Sequence, residues 1–269
     1  MKARIKFRKY GVMRFIGHLD VMRFFQKAMR RAQIPIAFTE GYSPHMVMSF
    51  AQPLGVGLTS DGEYFDIELQ ESIASDEAVK RLNAVMAEGI DIVSFVSIPD
   101  DRKCSGMSIV AAARYEASFL ESARSAEATR ALPRSCEKKI QEFLGREQIL
   151  VTKKTKKNER EIDIRPLIYQ MTADDTKQKI TLLLAAGSED NLKPELVIRT
   201  FLESSGLGDA ETPMHYHRVE LYAKNPGYER AGGEPFIPLE GLGEPFFEEA
   251  DTTVFRGGTC AYEQKRAED

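Results

Sequence analysis

The sequence predicts an α+β protein built from two ferredoxin-like (βαββαβ) units and an extended C-terminal tail. The first hundred residues read as strand, helix, strand, strand, helix, strand, and the stretch after them approximates the same order, which suggests a duplicated fold. After about residue 224 no hydrophobic period is sustained. We therefore assign a first domain to 1–100, a second to 107–224 and an acidic tail rich in glycine and proline to 225–269.

The elements of the first unit follow from their hydrophobic spacing. Ala3, Ile5 and Phe7 alternate with cations, which is typical of a half-buried strand with a basic polar face. Apolar residues at helical spacing predict two helices, the second capped by Ser75. In such a unit both helices pack on one face of an antiparallel sheet and the other face is open. The predicted order is a strand at 2–8, a helix at 18–32, strands at 46–50 and 64–69, a helix at 76–87 and a strand at 90–98.

The second unit follows a linker at 99–106 and is predicted on the same grounds. Pro194 in the first turn of its last helix is typical of a helix start, and an insertion near 165–177 interrupts the order. The predicted elements are a strand within 109–120, a helix at 135–145, strands at 148–152 and 161–164 around a hairpin tip at 153–160, a helical turn from 165, a strand at 179–186, a helix at 194–205 and a strand at 215–223.

Composition excludes several classes of protein. With 269 residues, 42% apolar and 29% charged, the chain can bury a hydrophobic core without help from disulfide bonds or bound metals. The three cysteines are odd in number and lack CxxC spacing, which predicts a reducing compartment, no zinc and no iron–sulfur cluster. No apolar run approaches ~18 residues, and the basic start lacks the apolar stretch of a signal peptide. We expect a cytoplasmic protein with no membrane association, no metal and no cofactor.

Several catalytic motifs are missing from the sequence. It holds no GxxxxGK[ST] loop, no GxGxxG between strand and helix, no HExxH, no GxSxG and no CxxxCxxC. Nucleotide hydrolysis, dinucleotide redox chemistry and self-contained radical SAM chemistry therefore lack their usual residues.

The formal net charge of −4 conceals a strong segregation of charge. Residues 1–31 hold ten basic side chains and one acid, Asp20, whereas residues 61–101 hold eleven acids and two bases. A row of cations on one strand and one helix favours binding to the phosphates of a nucleic acid or to another anion. The alternative is a solvated face, or one that pairs with the acidic segment inside the fold. The predicted phosphate contacts are Lys6, Arg8, Lys9, Arg14, Arg23, Lys27 and Arg31.

Two further segments are candidates for RNA contact. In the loop 40–45, Ser43 and His45 could hydrogen-bond a phosphate or a base, and His18 starts the neighbouring helix. A histidine pair could also cleave RNA by acid–base chemistry, but we favour binding or structural roles and assign no catalytic residue. The second segment is the basic hairpin tip, for which a solvated turn is an equal alternative. Its predicted contacts are Lys154, Lys156, Lys157, Arg160 and Arg165. His215 and His217 alternate on one strand without a third metal ligand in view.

Several stretches of the chain match the sequence pattern of a known family. They are Lys9-Tyr10-Gly11, Arg14-Phe15-Ile16-Gly17-His18-Leu19-Asp20, Arg30-Arg31-Ala32, Pro35, Glu40-Gly41-Tyr42-Ser43-Pro44-His45, Ser49-Phe50-Ala51-Gln52-Pro53-Leu54-Gly55-Val56-Gly57, Lys156-Lys157 and Arg160-Glu161-Ile162-Asp163-Ile164-Arg165-Pro166. With these stretches the chain resembles the bacterial radical SAM-linked protein family, whose members occur alone or fused to a B12-binding radical SAM protein. The resemblance covers roughly 3–222 and is specific in the first 60 residues. It implies an accessory domain that presents a substrate, expected to be RNA, to a radical SAM partner, and this chain resembles the stand-alone form.

Charge and resemblance together predict an RNA-binding accessory protein that acts with a radical SAM enzyme in RNA modification or maturation. Two alternatives stay open. One is a metal-independent ribonuclease of duplicated ferredoxin type with His18 or His45 as general base. The other is a protein-binding adaptor without affinity for RNA.

Overall fold

The computed structural model describes residues 1–120, 132, 135–154, 159–174, 176–208 and 211–247. The fold is α+β, with a large, mostly antiparallel sheet and few helices. The chain forms two compact units: the first comprises Met1–Ala111 and the chain from Glu220 onward, and the second comprises Ala112–Val219. None of the helices in the described part of the chain has the length and apolarity needed to span a bilayer.

The sheet of the first unit contains the strand order β4-β1-β3, and β2 also pairs with β3. The pairs β1–β3, β1–β4 and β2–β3 are antiparallel. The helix α2 ends at Asn83, earlier than predicted, and the Asn83 side chain bonds both the N–H and the carbonyl of Ile92 in β4. The elements are β1 (Lys2–Lys9), α1 (His18–Arg31), β2 (Met48–Phe50), β3 (Thr59–Glu68), α2 (Ser75–Asn83), β4 (Ile90–Ile98) and the short α3 (Gly106–Ile109).

The core of this unit lies between α1 and one face of the sheet. The buried residues of α1 recur at helical spacing, and β1 supplies the alternating residues that the sequence predicted. Four phenylalanines form the centre, with ring centroids 4.6 Å apart between Phe25 and Phe65 and 4.7 Å apart between Phe7 and Phe25, and with Phe50 stacked on Phe65 at 5.1 Å. This packing fixes the position of α1 and leaves its opposite side to solvent.

The second unit has the strand order β10-β5-β9-β8, with β6 and β7 as a separate two-stranded sheet. The predicted strand at 148–152 is present as β6, but it pairs with β7 alone. The strand beside β9 is β8, which lies where the sequence predicted an insertion. The elements are β5 (Val110–Phe119), α4 (Cys136–Leu144), β6 (Leu150–Lys154), β7 (Glu159–Asp163), β8 (Ile168–Asp174), β9 (Lys179–Ala185), α5 (Pro194–Ser205) and β10 (Met214–Lys224).

The C-terminal segment corrects two expectations. It folds back onto the first unit: β11 (Phe236–Pro238) pairs with β10, and β12 (Glu244–Pro245) pairs with β4. A short helix, α6 (Tyr228–Ala231), precedes them, and a 3-10 helix at Leu239–Leu242 lies between them. Part of the predicted tail therefore lies on the sheet face that was predicted to be open. Residues 248–269, the rest of that tail, lie outside the described residues.

Candidate nucleic-acid interface

The cations of β1 are paired inside the first unit. Arg4 is 1% exposed and forms a two-point ion pair with Asp66, Nε to Oδ1 at 2.8 Å and Nη2 to Oδ2 at 3.0 Å. Lys2 pairs with Asp100 at 2.6 Å, and Arg8 lies 3.5 Å from Asp61. Asp66, Asp100 and Asp61 all belong to the acidic segment 61–101. Lys2, Arg4 and Arg8 therefore pair with that segment inside the fold, which is one of the alternatives left open in the sequence analysis.

Lys6 is the centre of a buried polar cluster that holds the C-terminal segment. Its Nζ donates to Glu220 and to Glu240, each at 2.6 Å. The Tyr64 hydroxyl donates to Glu220 at 2.7 Å, and the Ser94 hydroxyl donates to Glu240 at 2.6 Å. We call these five residues the Lys6 cluster. Because both Lys6 contacts are short and internal, we infer that the Lys6 ammonium group stabilises the fold.

The pKa values of the cluster follow from burial and from the contacts between Lys6, Tyr64 and the two glutamates. Burial raises the pKa of Glu220, and the hydrogen bonds from Lys6 and Tyr64 oppose this shift without cancelling it. Burial by itself would lower the pKa of Lys6, but the two glutamates outweigh burial and raise it. Burial, followed by the charges of Glu220 and Glu240, raises the pKa of Tyr64 far above its ordinary value. Burial is therefore the main cause of the raised pKa values of Glu220 and Tyr64, whereas the two glutamates raise the pKa of Lys6.

Tyr64 makes the stability of the fold sensitive to alkaline pH. Its hydroxyl stays protonated in the folded chain but ionises in the unfolded chain near the ordinary value of 10.0. The stabilisation is therefore complete below about pH 10 and is lost above it, at up to about 1.4 kcal/mol per pH unit. We expect urea unfolding of Tyr64→Phe to show a shallower loss of stability above pH 10 than the unaltered chain. Tyr228→Phe, at a half-exposed tyrosine, should retain the full slope, and equal slopes in both variants would contradict the assignment.

Two other predicted contacts lie next to α1. Lys9 is buried, and its Nζ donates to the carbonyl of Ile16 at 3.1 Å, which ties β1 to the turn before the helix. The Arg14 guanidinium lies over the ring of Phe15, 4.7 Å from its centroid. The Arg14 carbonyl accepts a hydrogen bond from the Gly57 N–H at 2.8 Å, so the turn at Gly11–Phe15 and the loop around Gly57 are joined.

The cations of α1 face outward. Arg23, Lys27 and Arg30 are exposed, opposite the buried stripe of the helix. Arg23 lies 3.6 Å from Asp20, with both side chains about two-thirds exposed, a geometry that neutralises little charge. Arg31 donates to the carbonyl of Val85 at 2.9 Å and keeps its charge. Within the described part of the chain no acid pairs with Lys27 or Arg30. We call Arg23, Lys27, Arg30 and Arg31 the outer face of α1.

The loop that connects α1 to β2 is closed by His45. The Thr39 N–H donates to the His45 carbonyl at 2.9 Å, the His45 N–H donates to Thr39 Oγ1 at 3.2 Å, and Nδ1 of His45 lies 3.0 Å from the same hydroxyl. Gly41, at φ 111°, allows the turn. Ser43 and Tyr42 stand exposed at the tip. His45 thus holds a loop whose exposed groups include the Ser43 hydroxyl, the Tyr42 ring and the Glu40 carboxylate.

His18 and His45 have different partners in the structure. The ring of His18 packs edge-on against Phe50, with centroids 5.1 Å apart, at the end of β2. His45 instead bonds Thr39 within its own loop. A catalytic role for either histidine stays a prediction.

The second predicted contact is described only in part. The backbone of the β6–β7 hairpin sets Lys154 opposite Glu159 and Lys153 opposite Arg160, whereas Lys156 and Lys157 lie outside the described residues. Arg165 bonds inward, donating from Nε to the Leu144 carbonyl at 2.7 Å. Among the described residues no three His, Cys, Asp or Glu side chains are grouped to hold a metal ion, and this includes His215 and His217.

Two exposed aromatic residues were missing from the predicted contacts. Phe15, 59% exposed, precedes α1, and Tyr42 stands in the loop that follows it. Aromatic rings in solvent next to cations are the groups on which single-stranded bases stack. Both residues could have been found from their local sequence. Phe15 follows Arg14 and Tyr42 follows Gly41, each in a turn that contains glycine, and neither position belongs to a hydrophobic period that would place the ring in the core.

The first unit therefore presents a surface suited to binding: cations along an exposed helix, with an aromatic ring before it and another after it. A family model described as an uncharacterized protein conserved in bacteria (DUF2344) matches residues 2–194, and the chain belongs to that family. A comparison with curated proteins found no match.

Proposed function

We propose that this protein is an RNA-binding accessory protein that presents RNA to a radical SAM partner enzyme in RNA modification or maturation. The proposal of RNA binding rests on the outer face of α1, where four cations are exposed. In contrast, Arg4 and Lys6 of β1 are paired within the fold. A phosphate backbone is attracted to such a cluster of exposed cations even on a protein whose formal net charge is −4.

The proposed interface differs from the residues that the sequence suggested. Arg23, Lys27 and Arg31 stay in it, Arg30 joins them, and Arg14, Ser43 and His45 lie in the turn and loop on either side. Phe15 and Tyr42 add stacking platforms for bases. We leave out Lys6 and Lys9, whose ammonium groups are held internally, and Arg165, whose guanidinium bonds the chain around it. We keep Arg8 at the edge of the proposed interface because its side chain is half exposed.

Reversing two charges on the outer face of α1 should weaken RNA binding strongly. For Arg23→Glu combined with Lys27→Glu, we expect the affinity for a single-stranded RNA to fall at least about tenfold. The slope of log affinity against log salt should shrink by about 2, because two phosphate contacts are lost. Fluorescence anisotropy over a salt series measures both quantities.

A matched control separates the interface from overall charge. Lys80→Glu combined with Arg102→Glu makes the same change at two exposed cations, one on α2 and one in the turn after β4. This variant should keep most of the affinity. RNA affinity that is independent of salt, or equal losses in the two double variants, would overturn the proposal.

The partner enzyme enters the proposal through the sequence resemblance, and an apolar surface supports a protein contact. Val12, Leu19 and Val56 are each at least 60% exposed. The hydrogen bond between Gly57 and Arg14 joins the turn that contains Val12 to the loop that contains Val56, and Leu19 lies in the first turn of α1. Exposed apolar side chains of this kind are typical of protein interaction sites. We call these three residues the apolar patch and propose that the radical SAM enzyme docks there.

Co-expression with a bacterial B12-binding radical SAM protein tests the docking step. The two proteins should co-purify after ribonuclease treatment, and Leu19→Ser with Val56→Ser should abolish the complex while RNA affinity is retained. Val93→Ser with Met107→Ser changes exposed apolar residues elsewhere and should leave the complex intact. If the complex forms but RNA does not bind, the protein is an adaptor. If no complex forms, the radical SAM part of the proposal fails.

We also propose that the two units are copies of one ferredoxin-like fold. The support is the strand order: counted along each unit, with the β6–β7 hairpin set aside, both sheets run fourth, first, third, second strand. Helices lie after the first strand and before the fourth in each unit.

A further inference from the structure

The second unit contains a cavity of about 820 Å³ whose lining combines apolar side chains with charges of both signs. Leu192, Leu196 and Leu202 contribute apolar surface, and Glu195, Arg199 and Tyr216 contribute polar groups. A mainly preformed cavity of this size with a few polar groups is the usual form of a small-molecule site. The proposed RNA function uses none of these residues.

Glu195 and Arg199 are the notable pair in this lining. They stand four residues apart on α5, with glutamate N-terminal to arginine, the spacing and order that favour an ion pair. On α2 the same arrangement does pair, Glu77 with Arg81 at 2.7 Å. On α5 no ion pair joins the two side chains within the described part of the chain, and Oε2 of Glu195 is shielded from solvent without a hydrogen-bond partner there. A shielded carboxylate oxygen without a donor is costly, and a bound N–H group would satisfy it.

The remaining charges decide which kind of ligand fits. Glu189 and Lys193 also line the cavity, so its four charged side chains balance. A simple cation would meet Lys193 and Arg199, and a simple anion would meet the two glutamates. Burial, with a further contribution from Glu195, raises the pKa of Tyr216, so its hydroxyl remains protonated and can donate a hydrogen bond. A ligand that carries both charges meets an opposite charge at each end.

We propose that this cavity binds a zwitterion of the amino-acid type with an apolar side chain. Its ammonium group donates to Glu195, its carboxylate accepts from Arg199, and its side chain packs against Leu192 and Leu196. The site is independent of the RNA interface, and its ligand takes up none of the charges on α1.

The test compares three probes that differ by one charged group. L-phenylalanine carries both groups, phenethylamine lacks the carboxylate, and 3-phenylpropionate lacks the amine. Titration followed by amide chemical shifts should show saturable binding of L-phenylalanine, with shifts concentrated at 187–202. Each analogue should bind at least about tenfold more weakly, because each loses one charge-assisted contact.

Two variants assign the contacts, and a third controls for the fold. Glu195→Gln should abolish the preference for L-phenylalanine over 3-phenylpropionate but keep the preference over phenethylamine, and Arg199→Gln should do the reverse. Glu203→Gln changes an exposed glutamate of α5 and should leave all three affinities unchanged. Equal affinities for the three probes, or no saturable binding of L-phenylalanine by the unaltered protein, would overturn the proposal.

Discussion

Replacing Arg4 with methionine should lower the free energy of unfolding by about 3–5 kcal/mol, the range for removing one partner of a buried ion pair. Arg4 also donates to the carbonyls of Leu239 and Cys104, at 3.1 and 2.8 Å, so one guanidinium joins β1 to β3 and to two later segments. Methionine retains apolar bulk but leaves the Asp66 carboxylate buried without its counter-charge. Urea denaturation followed by far-UV circular dichroism measures the loss.

Two further variants make the Arg4 prediction specific. Arg8→Met breaks the half-exposed contact with Asp61 and should cost less than about 1 kcal/mol. Arg4→Met combined with Asp66→Leu removes both charges and should recover a large part of the loss, since an apolar pair can replace a buried ion pair. A loss below about 1 kcal/mol in Arg4→Met would show that this pair does not stabilise the fold.

Replacing Lys6 with methionine should cost about 3 kcal/mol near neutral pH, because Glu220 and Glu240 then share a half-buried site without a cation. The loss should shrink as the pH falls to about 5. Burial already raises the pKa of Glu220, and removal of Lys6 raises it further. The folded variant therefore takes up a proton that the unfolded chain does not bind, and it gains stability as the pH falls.

The carboxylate partners supply the control for the Lys6 prediction. Glu240→Gln in the Lys6→Met background removes one negative charge and should restore part of the stability at neutral pH. Glu244→Gln, at an exposed glutamate of β12, should restore nothing. A loss that is independent of pH would contradict the charge argument. The C-terminal segment should also become more accessible to protease in Lys6→Met, because Lys6 holds its residue Glu240.

Much of the fold follows from local patterns in the sequence. The alternation of Ala3, Ile5 and Phe7 predicted β1, and the apolar stripe with Phe25 predicted α1, because burial of one face imposes these periods. The strand β8 was missed for a local reason: Tyr169 and Gln170 are both exposed, and the pairing with β9 shifts register between Ile168 and Gln170, which breaks the two-residue period.

The candidate site was predicted only in part. Arg23, Lys27 and Arg31 lie on the surface because the helical period itself sends them away from the core. The cations of β1 share the same sequence signal, a charge on the polar face of an amphipathic element, but they are paired. The charge at a position is visible in the sequence, whereas the partner of that charge is not.

The α+β class, the helix that carries the exposed cations and the segregation of basic from acidic residues can all be read from the sequence, because each depends on composition or on short periods. Which cations remain exposed and unpaired depends on the folded arrangement of the chain. Asp66 and Glu240 follow the strand cations by 62 and 234 residues, and only the folding of β3 and of the C-terminal segment onto β1 brings these charges together. Ion pairs over such separations depend on topology, so the free charge on this protein is a property of the fold.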